Sequence, residues 1–292
     1  MNARDPCVSA RRFWLMALAS IALCCAATAS WAQASDERTA FRVCQDPNNM
    51  PFSNTKGEGY EDKIAQLFAK DLGLPVTYYS FPQRMAFIRN TLRYKLPGED
   101  FPCDIVMSVP KDYDQVLPTK PYYHSTYALV IPRGKGMDAV KSSDDFLALP
   151  KDKLHALRIG VYDRSPASEW LANHQLVDQG VPYKLMNADP DQYPGQIIEN
   201  DLANGKIDVA IVWGPIAGYF AKRVKEPQLI VIPLKSEQDV KFDYEIAMGV
   251  RFGEAAWKKK IEELIDKDRS QIQAILAEYG VPQVSDSGES VR

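Results

Sequence analysis

Two short apolar segments repeat one pattern and limit the folds that are open to this chain. Pro102 to Pro110 reads PCDIVMSVP, and Lys206 to Pro215 reads KIDVAIVWGP. Each has an aspartate directly ahead of an apolar run, and each ends in a turn at proline. Runs of this kind are typical of strands that are buried on both faces. The repeat predicts two similar α/β halves, or lobes, that face one another across a cleft.

Strand-like and helix-like segments alternate along the chain. Strands are predicted at Phe41 to Cys44, Val76 to Phe81, Asp104 to Val109, Tyr127 to Ile131, Arg158 to Val161, Val209 to Trp213 and Leu229 to Pro233. Apolar residues at helical spacing predict helices over Tyr60 to Leu72, about Arg84 to Leu92, around Trp170, around Ile197 to Leu202 and from Trp257 to Tyr279. The predicted fold class is therefore α/β with two lobes, each a mostly parallel sheet flanked by helices.

The N-terminal residues are typical of an export signal. Arg4, Arg11 and Arg12 precede an apolar run, and Ala32-Gln33-Ala34 offers a cleavage site. An uncleaved membrane anchor is the alternative, but the run is short of the roughly 20 residues that a spanning helix needs. We predict a signal peptide at 1–34, a first lobe at 35–132 plus 242–284, a second lobe at 133–241 and a disordered tail at 285–292.

Removal of this leader changes the charge and the cysteine count. The remaining chain has 32 basic and 37 acidic residues and a formal net charge of −5, which argues against nucleic acid as a partner. Only Cys44 and Cys103 remain, and an oxidising compartment favours a disulfide between them. Two buried free thiols are the alternative. A disulfide that closes a loop of this length contributes roughly 4 kcal/mol in the chain-entropy model.

Ligands of open α/β sheets bind beyond the carboxyl ends of the strands, which here places four segments on the cleft. These are Asp46 to Asn54, Ser108 to Lys111, Tyr162 to Ser168 and Trp213 to Gly218. Aromatic rings with polar tips and small polar side chains predominate there, and Ser165 is predicted to cap a helix that begins at Pro166. The candidate ligand or partner residues are Asp46, Asn48, Phe52, Asn54, Tyr60, Ser108, Tyr122, Tyr162, Ser165 and Trp213.

Patterns for catalysis and metal binding are missing from the sequence. His124, His155 and His174 lie in unrelated surroundings, and the chain has no Gly-x-Ser-x-Gly motif and no phosphate loop. Read as a calcium loop, DPNNMPFSNTKG has Met50 at the fifth position and Gly57 where a bidentate glutamate is needed. We therefore expect no enzymatic activity, no metal and no cofactor.

Several motifs resemble a known family over about Arg42 to Pro282. GYEDKIAQLFAKDLG, RIGVYDRSPAS and NGKIDVAIVWGPIAGYF resemble type II periplasmic solute-binding proteins of the amino-acid-binding cluster (family 3). CQDPNNMPFSN, PQRMAFIRNTL, CDIVMSVPKDYDQVLPTKPYY and VWGPIAGYFAKR resemble more specifically the J proteins, which are encoded beside periplasmic quinoprotein methanol dehydrogenases. The resemblance implies the two-lobed fold and a location in the periplasm of a Gram-negative bacterium.

The sequence departs from ordinary amino-acid binders at both charged clamps. Those proteins usually carry an arginine for the ligand carboxylate shortly after the first-lobe strand, where this chain reads Lys111, Asp112 and Tyr113. They usually carry an acidic residue for the ligand ammonium at the position of Trp213 or Gly214. A zwitterion buried without both clamps would leave its charges unpaired, so we do not expect an amino acid as ligand.

Two functions of different class follow. The resemblance implies an accessory factor that contacts a periplasmic pyrroloquinoline-quinone (PQQ) alcohol or methanol dehydrogenase, or its cytochrome c, and supports maturation or activation of that enzyme. The alternative is a solute-binding protein that delivers a small uncharged or aromatic molecule to an ABC importer. Loss of the ligand clamps favours the accessory factor.

Overall fold

The computed structural model describes residues 38–83, 86–185, 189, 191–237, 239–285 and 290–291. The predicted signal peptide lies outside these residues, and so does most of the tail that is predicted to be disordered. Among the helices in this described part, none combines the length and the apolar character needed to cross a membrane.

The secondary-structure elements alternate as the sequence predicts. The strands are β1 (Phe41–Gln45), β2 (Asn48–Asn49), β3 (Ser53–Asn54), β4 (Val76–Ser80), β5 (Ile105–Pro110), β6 (Leu117–Pro118), β7 (Tyr123–Pro132), β8 (Ile159–Tyr162), β9 (Gly180–Tyr183), β10 (Val209–Trp213), β11 (Leu229–Pro233), β12 (Asp243–Val250), β13 (Gln283–Val284) and β14 (Ser290–Val291). The α-helices are α1 (Tyr60–Leu72), α2 (Phe87–Asn90), α3 (Ser143–Leu147), α4 (Lys151–Leu154), α5 (Pro166–Asn173), α6 (Gly214–Arg223), α7 (Ala255–Lys267) and α8 (Arg269–Glu278). A 3₁₀ helix covers Val177–Gln179, and a π-helix covers Ile197–Leu202.

The first lobe is built on β4, β1 and β5, which run parallel, with β12 antiparallel beside β5. Successive residues of a strand point to opposite faces of the sheet. Val43 accordingly packs in the cluster formed with α1, α7 and α8, whereas Cys44 packs in a second cluster with Phe87 and Leu92. Both faces of the sheet are therefore covered, which explains why the β5 segment is apolar apart from Ser108.

The second lobe is built on β10, β8 and β9, which run parallel, and on β7 and β11. Trp170 of α5 is fully buried in the cluster on one face, and its indole nitrogen donates a hydrogen bond to Glu237 at 2.7 Å. The π-helix and α6 cover the other face through Ile197 and Phe220. This lobe has the same sheet-between-helices arrangement as the first.

Strand β7 connects the two lobes. Its residues Tyr123 to Thr126 pair with β12, and its residues from Tyr127 onward pair with β10 and β11. Ten strands of the described residues consequently form one continuous sheet. The short strand predicted at Tyr127 to Ile131 is the second part of this longer one. The lobe boundaries predicted at residues 132 and 241 stay predictions.

The repeated segments form equivalent strands, β5 and β10. In both lobes the backbone N–H of the aspartate donates to the carbonyl of an arginine at 2.8 Å: Asp104 to Arg42 in the first lobe, and Asp208 to Arg158 in the second. The side chains of each pair are also joined by an ion pair. The repeat in the sequence therefore corresponds to a repeat in the structure.

A disulfide joins Cys44 in β1 to Cys103, directly before Asp104, with the two Cα atoms 5.2 Å apart. Both residues are buried in the cluster that also contains Phe87 and Val106. The predicted pairing is present, and it links β1 to the segment that leads into the neighbouring strand β5.

Two helix predictions need correction. Helix α2 covers only Phe87–Asn90 instead of about Arg84 to Leu92, because Ala86 adopts a left-handed conformation (φ 63°) and Thr91 leaves the helical region. Arg84 lies outside the described residues. The helix predicted near Ile197 is a π-helix, whose wider turn does not produce a periodicity different enough to recognise from sequence.

Candidate functional site

A cavity of about 700 Å³ lies between loops of the first lobe and one face of the second lobe. Its lining consists mainly of aromatic and amide side chains. The residues are Asp46, Pro47, Asn48, Asn49, Pro82, Gln83, Tyr127, Tyr162, Tyr183, Lys184, Leu185, Gln192, Tyr193, Pro194, Gln196, Ile197, Asn200, Asp201, Trp213 and Ile216. Most follow the carboxyl ends of β1, β4, β8, β9 and β10, where parallel α/β sheets bind ligands.

The first-lobe wall is held by hydrogen bonds around Asp46. Its carboxylate accepts a hydrogen bond from the backbone N–H of Asn48 at 2.8 Å and another from that of Gln83. The side-chain amide of Asn49 donates to the Gln83 side chain at 2.7 Å. The loop after β1 is thereby fixed to the loop after β4, and both oxygens of Asp46 have partners within the protein.

Tyrosines whose hydroxyl groups bond to the protein form the second-lobe wall. Tyr162 donates to the carbonyl of Pro194 at 2.7 Å, Tyr183 to Asp201 at 2.7 Å and Tyr193 to Glu199 at 3.0 Å. These bonds fix the orientation of the three rings relative to the backbone.

The Asp201 carboxylate receives a second hydrogen bond, from Lys206 at 2.9 Å. Burial acts to raise the pKa of Asp201, but the hydrogen bonds from Lys206 and Tyr183 and the charge of Lys206 outweigh it, so the pKa is lowered. Asp201 is therefore an ionised and paired group. It leaves no unpaired negative charge for a ligand.

Tyr127 and Trp213 form the wall where β7 passes between the lobes. Their ring centroids lie 5.5 Å apart in an edge-to-face arrangement, and Trp213 also contacts Tyr244 at 5.9 Å. Burial raises the pKa of the Tyr127 hydroxyl well above its usual value, and the charge of Tyr244 adds to this, so the hydroxyl stays neutral.

The residues at the two clamp positions have other surroundings in the structure. Lys111 forms an ion pair with Glu245 of β12 and does not line the cavity. Trp213 is the last residue of β10, and Gly214 begins α6. Among the described residues, the cavity lining includes no arginine, and its charged side chains are Asp46, Lys184 and Asp201.

Four of the predicted contact residues line the cavity: Asp46, Asn48, Tyr162 and Trp213. Phe52 is half-buried and contacts Tyr60 at 5.4 Å between ring centroids. Asn54 bonds within its own loop, to the side chain of Glu58 at 2.8 Å. Ser165 precedes α5 as predicted, but its hydroxyl donates to the Tyr162 carbonyl instead of capping a backbone N–H.

Tyr60, Ser108 and Tyr122 belong to a hydrogen-bonded group inside the first lobe. The hydroxyls of Tyr60 and Tyr123 are 2.8 Å apart, and those of Ser108 and Tyr122 are 3.0 Å apart. Both Tyr60 and Tyr122 are almost completely buried. Their polar tips are therefore satisfied internally, and Ser108 lines a separate, smaller cavity. A functional role for these three residues stays a prediction.

Two buried carboxyl groups lie beside this tyrosine group. Burial raises the pKa of Glu61 to about 8 against a hydrogen bond from Ser108, and the charges of Asp62 and Asp46 add to the rise. Burial also raises the pKa of Asp62 to about 6, although that carboxylate accepts backbone N–H groups from Gly59 at 3.0 Å and Asn54 at 3.2 Å. Glu61 is thus largely protonated at neutral pH.

Asn49 lies in the predicted cleft segment but is not among the predicted contact residues, and Gln83, Tyr183, Tyr193 and Asn200 lie outside the predicted segments. Tyr183 ends β9, and the rule that ligands bind beyond strand ends would have found it had the strand been recognised. Asn200 lies on the π-helix, whose turn is wider than the α-helical turn that the sequence predicts. Asn49 and Gln83 come together only through the contact between two loops.

The described part of the chain holds no cluster of three or more metal-ligating side chains. His124 pairs with Asp243 at 2.8 Å and His174 with Glu237 at 2.9 Å, so each is bonded to a single carboxylate.

No protein-family model matches this chain. The crystal structure of the periplasmic binding protein XoxJ from Methylobacterium extorquens AM1 is 35% identical, with a TM-score of 0.68 over 85% of this chain and 100% of that chain. Protein MoxJ of Methylorubrum extorquens is 28% identical, over 91% of this chain and 92% of that protein. Protein MoxJ of Paracoccus denitrificans is 25% identical, over 91% and 98%.

The two lobes, the shared strand and the cavity between them define a type II periplasmic binding protein fold, as predicted. The level of identity to XoxJ over that whole chain goes further than the fold. This chain belongs to the XoxJ family of periplasmic binding proteins.

Proposed function

We propose that this chain is a periplasmic accessory factor that interacts with a PQQ-dependent methanol or alcohol dehydrogenase and supports the maturation or activation of that enzyme. Membership in the XoxJ family and the motifs shared with the J proteins support the proposal. We also propose that residues 1–34 are a cleaved export signal and that the chain is not itself an enzyme.

The observation that carries the proposal is the cavity without charge clamps. Asp46 and Asp201 are bonded within the protein, and Lys111 is paired with Glu245. Transfer of a zwitterion into such a site would cost several kcal/mol for each unpaired charge. The fold of an amino-acid binder is therefore kept without the groups that bind an amino acid, which favours a different task.

Deletion and complementation test the accessory role. We expect deletion of this chain to lower dehydrogenase activity in the periplasm and re-expression to restore it, and we expect the purified chain to be crosslinked to the dehydrogenase or its cytochrome c. Asn200→Arg places a bulky cation at the cavity wall, and Lys260→Ala changes an exposed residue of α7 as a matched control. Normal activity in the deletion strain together with no crosslinked complex would show that the proposal is wrong.

The cavity itself favours a second candidate function, a solute-binding protein of an ABC importer for a small uncharged or aromatic molecule. Its aromatic lining and its volume of about 700 Å³ are suited to an organic ligand. A thermal-shift screen against a metabolite collection tests this function, because a ligand that binds only the folded state raises the melting temperature. A large shift with one compound, in a strain where deletion leaves the dehydrogenase active, would favour transport.

A further inference from the structure

We infer that the cavity selects a neutral, planar aromatic ligand that carries a hydrogen-bonding group, and that Tyr127, Trp213 and Asn200 recognise it. The inference rests on the second candidate function, since it names the ligand class for the same site. It is independent of whether the chain also contacts a dehydrogenase.

Three tyrosines of the lining present their rings to the cavity and not their hydroxyl groups. The hydroxyls of Tyr162, Tyr183 and Tyr193 are committed to Pro194, Asp201 and Glu199. Tyr162 and Tyr183 stand edge to face with ring centroids 6.2 Å apart. What these residues offer a ligand is aromatic surface, which favours an offset-stacked or edge-on ring partner.

Several polar side chains of the cavity lining have no hydrogen-bond partner in the part of the protein that the structure describes. Among the described residues, the side chains of the lining without a hydrogen-bond partner include the Tyr127 hydroxyl, the Trp213 indole N–H, the Asn200 amide and the Gln192 amide. Asn200 is placed there by the π-helix Ile197–Leu202, on the same wall as Ile197. A hydroxyl, an indole N–H and an amide together can donate to and accept from one neutral polar group.

The charged side chains of the lining favour a neutral ligand. Each carboxylate oxygen of Asp46 and Asp201 in the lining already accepts a hydrogen bond from the protein, so a ligand cation would compete with those donors. Lys184 is an exposed cation on the lining, but no described arginine offers a bidentate contact for a carboxylate. A neutral ligand avoids the desolvation cost that either charge would bring.

The polar groups of the lining favour an aromatic compound over a sugar. A monosaccharide needs a hydrogen-bond partner for each of several hydroxyls. Much of the polar lining is instead already used, since Asn49 bonds to Gln83 and Gln196 bonds to the Asp191 carbonyl. A wide aromatic wall with few free polar groups matches a flat ring with one polar substituent.

The test uses three probes of one shape and different charge: naphthamide, naphthoate and naphthylmethylamine, with glucose as a fourth. Binding to the mature full chain is measured by titration calorimetry and ligand-observed NMR. We expect saturable binding of naphthamide, and binding of both charged probes that is weaker by about tenfold or more.

Three variants test the assignment of the residues. Tyr127→Phe removes only the hydroxyl, whereas Trp213→Phe replaces the indole with a smaller ring that has no N–H. Each should weaken naphthamide binding by at least roughly fivefold, the effect expected for one hydrogen bond. Asn200→Leu should do the same. Tyr94→Phe is the matched control, because Tyr94 stacks on Tyr79 in the first lobe, outside the cavity, and this change should leave binding unaltered.

Each contrary result overturns the inference. These results are equal affinity for a charged probe, binding of glucose alone, no binding of any probe, or wild-type affinity in the Tyr127→Phe/Trp213→Phe double variant. Crosslinking to the dehydrogenase is measured on the same preparations. A complex without naphthamide binding would refute the ligand inference alone. Binding without a complex, together with normal dehydrogenase activity in the deletion strain, would refute the accessory role alone.

Discussion

The two lobes use one arginine–aspartate arrangement in two very different environments. Asp104 in the first lobe is fully buried, and both Arg42 and Arg251 bond to it, at 2.6 Å and 2.5 Å. Asp208 in the second lobe is 33% exposed and pairs with Arg158, which is 49% exposed, at 2.9 Å. The same sequence pattern thus produces a buried network in one lobe and a solvated pair in the other.

The difference arises from residues outside the repeat. Arg251 follows β12 and also donates to the carbonyls of Leu92 and Cys103, so it holds the segment that carries the disulfide. The second lobe lacks such a third group among its described residues around Asp208. Burial of an ion pair adds little net stability by itself, but loss of one partner leaves an uncompensated charge. The first lobe should therefore be far more sensitive to single changes.

The largest effect is expected for Asp104→Asn. The change removes the charge that both Arg42 and Arg251 contact, and we expect the free energy of unfolding to fall by about 3–5 kcal/mol. The matched control, Asp208→Asn, should cost about 1 kcal/mol or less, because solvent replaces part of that interaction. Urea denaturation of both variants checks this. Equal losses would mean that burial does not distinguish the two pairs.

The disulfide should produce the next largest effect, and one confined to the first lobe. Replacement of both Cys44 and Cys103 by alanine should destabilise the protein by about 2–4 kcal/mol. Hydrogen exchange followed by mass spectrometry should show faster exchange in β1 and β5, with β8 and β10 unchanged, since no cross-link joins the latter strands. Uniform acceleration in both lobes would contradict this local role.

We expect Glu61 to make a smaller contribution to the free energy of unfolding, and this contribution depends on pH. Burial raises its pKa from 4.5 to about 8, so the folded state holds a proton that the unfolded state releases. This contribution to stability is present below the unfolded pKa and is lost as the pH rises towards the folded value. In the second lobe the pKa of Asp208 is lowered by the hydrogen bond from Arg158, which gives the opposite pH dependence.

Glu61→Gln should abolish the loss of stability that the wild-type chain shows as the pH rises. The amide imitates the protonated carboxyl, so we expect the variant to be about 1–3 kcal/mol more stable than the wild-type chain at alkaline pH, with no difference at acid pH. Denaturation midpoints measured across this range check the prediction. A constant difference at every pH would show that Glu61 does not titrate between the two states.

The buried strands were the most predictable part of the molecule. PCDIVMSVP and KIDVAIVWGP become β5 and β10 because strands covered on both faces need continuous apolar sequence. The role of Asp104 could not be predicted, since Arg251 is distant in sequence and reaches it only through β12. Local patterns record which residues are buried, not which distant residue meets them.

The cavity was predictable only in part, for the same reason. Asp46, Asn48, Tyr162 and Trp213 lie directly after strand ends, so the strand assignments located them. Tyr60 and Tyr122 also carry a ring and a polar tip, but their partners Tyr123 and Ser108 turn those tips inward. An aromatic residue near a cleft looks alike in the sequence whether its hydroxyl meets a ligand or another side chain.

We expect Arg158→Met to reduce stability least. The salt dependence of this loss distinguishes the exposed ion pair from the buried one. The variant should lose little stability at low ionic strength, and this loss should shrink as salt screens the exposed pair in the wild-type chain. The loss caused by Asp104→Asn should change little, because salt does not reach a fully buried carboxylate. Urea midpoints of both variants over a salt series measure the contrast. If salt reduced both losses equally, solvent would have access to the first-lobe network as well, and the two pairs would differ in strength but not in environment.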